Sequence, residues 1–96
     1  MKTVSEAPED GLPSYLIARH YVGAGRFEDA AARLDRALAT EMPIARVRTE
    51  AARLRLLVAC GLGDAQTAER MLEVYAARGV GAARLDAARS LVQRCD

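Results

Sequence analysis

The strongest constraint on the fold of this chain is an internal repeat built around two short glycine turns. A displacement of 38 positions places segment 23–25 (GAG) on segment 61–63 (GLG) and Leu34 on Leu72. In each copy, apolar residues recur at helical spacing both before and after the glycines, which is typical of a helix hairpin. Because a hairpin this short cannot bury both of its faces alone, the repeat predicts hairpins that stack on one another.

Glycine and proline divide the chain into five predicted helices. No stretch alternates apolar and polar residues, so a sheet is not expected. The predicted fold class is all-α, with about five antiparallel helices arranged as two hairpins and a C-terminal capping helix in one domain, 12–96. Residues 1–11 are polar, end in turn-forming residues and are expected to form a disordered leader. The predicted helices start at or beside Pro13, Phe27, Pro43, Asp64 and Ala82 and end near Gly23, Ala39, Gly61, Arg78 and Arg94.

The third predicted helix carries apolar residues on two separate faces. A helix that is buried on two sides needs neighbours both before and after it, as in the interior of a stacked array. The first stripe contains Ile44, Val47, Ala51, Leu54 and Val58, and the second contains Ala45, Ala52, Leu56 and Ala59.

Segment 14–43 resembles a tetratricopeptide repeat. The residues that carry this resemblance are Ala18, Tyr21, Gly25, Phe27, Ala30, Leu34, Ala37 and Pro43. The second unit, about 52–79, keeps the glycine turn but has Leu56 where a small residue is expected and Arg55 where a large apolar one is usual. Another antiparallel helical bundle is the alternative interpretation.

The tetratricopeptide resemblance implies a concave groove, lined by the first helix of each unit, that holds peptides or helices of partner proteins. The family's clamp for a terminal carboxylate uses asparagine and lysine, but this chain has no asparagine and only Lys2, so that specificity is not expected. An amphipathic helix or an extended acidic segment is the expected partner, and an ordinary solvated face is the alternative. Carried over by position, the partner-binding residues are Leu12, Tyr15, Arg19 and Val22 in the first unit and Glu50, Arg53, Leu57 and Cys60 in the second.

The residue pattern does not indicate catalysis, a metal site or a cofactor. His20 is the only histidine and has no serine or cysteine at helical spacing that could form a nucleophile pair. One histidine and two separated cysteines do not supply the clustered ligands that a metal needs. The glycine turns follow helices and lack the further residues of phosphate-binding loops. We therefore expect no enzyme activity and no cofactor.

The favoured function is that of a non-enzymatic adaptor or chaperone that binds a partner protein. The chain also resembles the small helical-repeat chaperones of bacterial type III secretion in its 96-residue length and its AGRFEDA and CGLGDA turns. An exposed Leu16 or Ile17 on the first helix favours a homodimer or a permanent heterocomplex. The alternative is a small nucleic-acid-binding regulator, since thirteen of the fourteen basic residues are arginine, although the net charge is only +1.

The location expected from the sequence is the cytoplasm. The first residues contain no apolar run typical of a secretory signal, and no apolar stretch approaches the length needed to cross a membrane. Cys60 and Cys95 lie in no CxxC motif and are expected to be free thiols in a reducing compartment.

Overall fold

The computed structural model describes residues 11–40 and 44–95, which form five α-helices with no strand among them. The prediction of an all-α fold is confirmed. The predicted leader falls almost entirely on residues 1–10 and the Pro43 helix start on residues 41–43, and both segments lie outside the described residues. The helices are α1 Leu12–Gly23, α2 Phe27–Ala39, α3 Ala45–Gly61, α4 Ala65–Ala76 and α5 Ala82–Gln93.

Helix α3 lies at the centre of the described molecule and contacts each of the other four helices. The contacts are most extensive within the pairs α1–α2 and α3–α4, which are hairpins joined by three-residue turns. Helix α2 packs on α3, while α5 packs on both α3 and α4. The chain thus stacks two hairpins and adds α5 at one end.

The two repeated turns share their backbone geometry. Gly25 and Gly63 have φ angles of 75° and 74°, in the left-handed region that favours glycine. The residue after each glycine donates its N–H to a carbonyl five positions earlier, at 2.9 Å from Arg26 and 2.8 Å from Asp64. This bond satisfies a carbonyl in the last turn of the preceding helix, as in a Schellman motif. The repeat therefore marks two equivalent helix ends.

The two apolar stripes of α3 enter two different core clusters. Ala51 and Val58 pack between α1, α2 and α3, whereas Ala52 and Leu56 pack with α4 and α5. All four side chains are fully or almost fully buried, so α3 is buried on two sides as its sequence predicts. Ile44 and Ala45 differ, because they lie at the start of α3 and remain exposed, Ile44 by 45%. Ala59 packs in a third cluster, with Ala68 and Cys95.

Arg55 is a charged residue within the core-facing part of α3. Its Nε donates to Asp35 Oδ1 of α2 at 2.8 Å, while only 8% of the residue is exposed. One terminal nitrogen, Nη1, is buried without a hydrogen-bond partner among the described residues. An arginine at a position where an apolar residue is usual therefore links the two hairpins through an ion pair.

Cys60 and Cys95 form a disulfide, with their Cα atoms 5.0 Å apart. The prediction of free thiols is therefore wrong for this pair. The two residues are 35 positions apart in sequence, and no sequence spacing indicates their contact. They meet because α5 packs on α3, which places Cys95, just beyond the end of α5, beside the last turn of α3.

Candidate functional site

A groove of about 440 Å³ lies between α3 and α5 and forms the candidate site. Its α3 wall is polar at one end and apolar at the other, and its α5 wall has two small residues opposite. We call it the α3–α5 groove. It is lined by Glu50, Arg53, Leu56, Leu57, Tyr75, Arg84, Ala87, Ala88 and Leu91.

Helical periodicity places the lining residues on the facing sides of the two helices. On α3, Glu50, Arg53 and Leu57 follow one another at spacings of three and four, so they share one face. On α5, residues 84, 87, 88 and 91 repeat the same spacing. Because Ala87 and Ala88 have short side chains, the two helices can lie side by side and still leave an open channel.

The floor of the groove is apolar. Leu56 and Ala88 belong to the core cluster of α3, α4 and α5, and Leu57 and Leu91 are half-buried above them. Tyr75 of α4 closes the floor and is fully buried. An apolar floor of this kind can accept a large apolar side chain from a ligand.

The Tyr75 hydroxyl oxygen is buried and makes no hydrogen bond with any described residue. Native proteins satisfy most buried hydroxyl groups, because burying one without a partner is unfavourable. A residue of the groove floor therefore carries a buried polar atom that has no partner among the described residues.

The rim of the groove carries two arginines and one glutamate. Arg53 donates from Nε to Glu50 Oε1 at 2.9 Å, and both side chains are partly exposed. Arg84 is exposed on the α5 side and makes no ion pair with the described residues. The rim thus has one excess positive charge.

A second pocket of about 640 Å³ continues from the α3–α5 groove and shares Leu57 and Leu91 with it. The disulfide forms part of its wall. We call it the disulfide-side pocket. Its other lining residues are Phe27, Gly61 and Arg94.

Three of the four residues predicted on α3 lie along the α3–α5 groove, and the fourth lies along the disulfide-side pocket. Glu50, Arg53 and Leu57 line the α3–α5 groove, as the resemblance implies. Cys60 lines the disulfide-side pocket, but it does so as one half of a disulfide.

The four residues predicted on α1 do not line either pocket. Tyr15 belongs to the buried core of α1, α2 and α3 and is only 9% exposed, while Leu12 and Val22 pack against the same cluster. Arg19 is exposed, with its guanidinium 5.9 Å from the centre of the Tyr15 ring. A large aromatic ring is more stable between helices than on a solvated face, so Tyr15 lies in the core and not on an exposed groove face.

The α5 wall was not predicted from the sequence. Neither Arg84 nor Leu91 is among the predicted partner-binding residues, yet both border the groove. The signal that could have identified them is their spacing of seven, with Ala87 and Ala88 between, which puts all four on one side of α5.

Other chemical features have structural explanations. Asp64 is the N-cap of α4 and accepts the Thr67 backbone N–H at 3.1 Å. Hydrogen bonds from Thr67 lower the pKa of Asp64 below its usual value.

Within residues 11–40 and 44–95, no group of three or more histidine, cysteine or acidic side chains could hold a metal ion. None of the helices in these ranges is long and apolar enough to cross a membrane.

Comparison of the chain with protein-family models, curated proteins and solved structures finds no match. The α3–α5 groove is thus the feature of the molecule from which a function can be proposed.

Proposed function

We propose that the protein is a non-enzymatic adaptor or chaperone that holds a segment of a partner protein in the α3–α5 groove. The observation that carries this proposal is an apolar floor below a charged rim, open along two neighbouring helices. An amphipathic helix or an extended segment fits such a groove, because its apolar side chains cover the floor and its polar ones reach the rim.

Two observations support a tetratricopeptide-like version of this proposal. The α1–α2 and α3–α4 hairpins end in equivalent glycine turns. Helix α3 also contacts both α1 and α5, so the first helices of successive units are neighbours. A narrower version is a chaperone for a subunit of bacterial type III secretion, which a gene for the cargo beside this one would support.

The proposal includes a homodimer or a permanent heterocomplex. Leu16 and Ile17 on α1 are 51% and 37% exposed, and covering such side chains stabilises an assembly. Sedimentation of the purified protein, alone and with its partner, tests this. A monomer that shows no change in mass with the partner present would contradict it.

We favour a protein partner over a nucleic acid because carboxylates neutralise several of the arginines. Arg26, Arg53, Arg55 and Arg89 are each paired with an aspartate or glutamate of the same chain. Titration with duplex DNA at two salt concentrations distinguishes the two functions, since micromolar binding with a steep salt dependence would favour the regulator.

A cytoplasmic location is also proposed, and the disulfide provides a test of it. Cytosolic reductants keep most cysteine pairs as thiols. If Cys60 and Cys95 are trapped by alkylation as thiols in intact cells, the cytoplasm is supported. If they are protected as a disulfide, an oxidising compartment is supported.

Photo-cross-linking in the native host tests the binding groove. A cross-linking amino acid replaces Ala87, which is exposed in the α3–α5 groove, and in a control it replaces Arg89, which is exposed on the other side of α5. We expect one partner protein to be captured from position 87 and not from position 89. Equal capture from both positions, or none from position 87, would contradict the proposal.

A further inference from the structure

The polar groups of the α3–α5 groove include more donors than acceptors. Arg84 has no ion-pair partner among the described residues, and Arg53 is paired with Glu50 through Nε alone. The hydroxyl of Tyr75, a residue of the groove floor, has no hydrogen bond with the described residues. Among the described residues that line the groove, Glu50 is the only carboxylate. A ligand that supplies an acceptor with negative charge therefore complements this site.

The apolar part of the groove lies next to these donors. Leu57 and Leu91 are half-buried and border both pockets, and the short side chains of Ala87 and Ala88 leave space between the helices. An aromatic or large aliphatic side chain would cover the leucines and remove them from water. The same ligand must then present both an apolar group and a carboxylate.

We propose that the groove binds a partner segment through an aromatic or large aliphatic side chain and a nearby aspartate or glutamate. This inference rests on the proposed function and specifies the chemistry of the partner. The apolar side chain packs on Leu57 and Leu91, and the carboxylate pairs with Arg84 and Arg53. The Tyr75 hydroxyl is buried in the free protein, so it donates a hydrogen bond to an oxygen of the bound segment only when the side chains that cover it move on binding.

Four matched peptides provide the probe for this proposal. All four are acetylated and amidated helical peptides of alanine, glutamine and serine, and the first carries one phenylalanine and, one turn later, one glutamate. The other three replace the glutamate by glutamine, the glutamate by lysine, or the phenylalanine by alanine. Titrations of the full chain are followed by backbone amide NMR shifts, which report both the affinity and the location of binding.

The peptide with phenylalanine and glutamate should bind best and shift the amides around Leu57 and Leu91. We expect affinity to fall about threefold with glutamine in place of glutamate, as for an exposed ion pair. It should fall further with lysine. Equal binding of the glutamate and glutamine peptides, or shifts on another face of the protein, would overturn the inference.

A charge exchange tests the assignment of Arg84. Arg84→Glu should lower the affinity for the glutamate peptide by about tenfold and make the lysine peptide the better ligand. Arg89→Glu carries the same change of charge on the other side of α5 and should leave the order of the peptides unchanged. If both variants change the order of peptide affinities equally, the effect comes from the net charge of the protein and the inference is wrong.

Tyr75→Phe removes the hydroxyl without removing the ring from the groove wall. We expect an unchanged or higher melting temperature, because the lost hydroxyl has no partner among the described residues. The same variant should bind the glutamate peptide about threefold more weakly. Unaltered affinity would contradict the role of the hydroxyl.

Other occupants of the groove give different results in the same assays. If deletion of residues 1–10 is required before any peptide binds, the groove holds that segment of the chain and the inference is overturned. Peptide affinity that rises on dilution of the protein would identify a second copy as the occupant. If a partner cross-linked from position 87 lacks an acidic residue in the captured segment, the proposed function stands and this inference fails.

Discussion

Gly61 shows how closely two helices approach at the disulfide-side pocket. A Cβ atom added to Gly61 would lie 2.6 Å from Cε2 of Phe27. One added to Gly23 would have no atom of the described residues within 4 Å, its chain neighbours and the nearby backbone of its own helix aside. The internal repeat equates these two glycines, but only Gly61 faces a neighbouring ring. At the residue scale, equivalent positions of the repeat therefore have different roles.

We predict that Gly61→Ala lowers the free energy of unfolding by about 1–3 kcal/mol, because the Phe27 ring must move. Gly23→Ala is the matched control. It should have no effect or raise stability by up to about 1 kcal/mol, since glycine increases the entropy of the unfolded chain. Urea unfolding measures both variants, and similar losses from the two would contradict the close contact at Gly61.

The Arg55–Asp35 pair makes a second prediction at the residue scale. Asp35→Ala leaves the buried guanidinium without its partner and should cost about 1–2 kcal/mol, less than a fully buried pair because Asp35 is exposed. Arg55→Met removes both the charge and the unpaired Nη1 nitrogen of the arginine. It should change the free energy of unfolding by less than about 1 kcal/mol. A greater loss from Arg55→Met than from Asp35→Ala would show that the ion pair itself stabilises the fold.

At the scale of single helices, the start of α4 depends on one carboxylate. Asp64 caps α4 through Thr67, and the resulting hydrogen bonds lower its pKa. Because the pKa is lower in the folded state, the cap stabilises the protein above the unfolded pKa, about 4. That contribution is lost as the pH falls through the lower folded value.

We therefore predict that Asp64→Ala lowers the melting temperature at pH 7, and that the difference from the original protein shrinks under acidic conditions. Asp64→Asn retains a side-chain oxygen that can cap the helix. At pH 7 it should be more stable than Asp64→Ala. Between pH 5 and pH 2 its stability should depend less on pH than that of the original protein. Identical pH profiles for Asp64→Asn and the original protein would exclude this role of the charge.

The sequence predicts helices better than it predicts contacts between them. Helices α2 and α3 follow from apolar spacing and glycine turns, which are local properties of the chain. The prediction for Tyr15 rests on its position in the tetratricopeptide resemblance, and position alone cannot distinguish a groove face from a core face when both include apolar residues. The α5 wall was missed because its pairing with α3 depends on how hairpins stack, and no short segment encodes that distance.

At the scale of the whole molecule, α5 contacts α3 and α4 less extensively than the hairpin helices contact each other. The Cys60–Cys95 disulfide adds a covalent link at this end of the stack. In the loop-entropy account, a link over 35 positions restricts the unfolded chain by about 3–4 kcal/mol. The disulfide is thus expected to hold the α5 wall of the groove in place.

We predict that Cys95→Ser lowers the free energy of unfolding by about 2–4 kcal/mol and exposes α5 first. Amide hydrogen exchange should accelerate most in α5 and least in α1–α2. A chemical reductant should produce the same pattern in the original protein and no change in Cys95→Ser. Uniform acceleration along the chain would contradict a local role for the disulfide.

The disulfide also makes a closed ring of the polypeptide between residues 60 and 95. A peptide bond cut inside this ring opens it without separating the chain into two molecules. Arg78, exposed just after α4, offers trypsin such a bond. The nicked protein would then run as one band on a non-reducing gel and as two bands after reduction, and the wall of the groove formed by α5 would stay attached to a chain that has been cut.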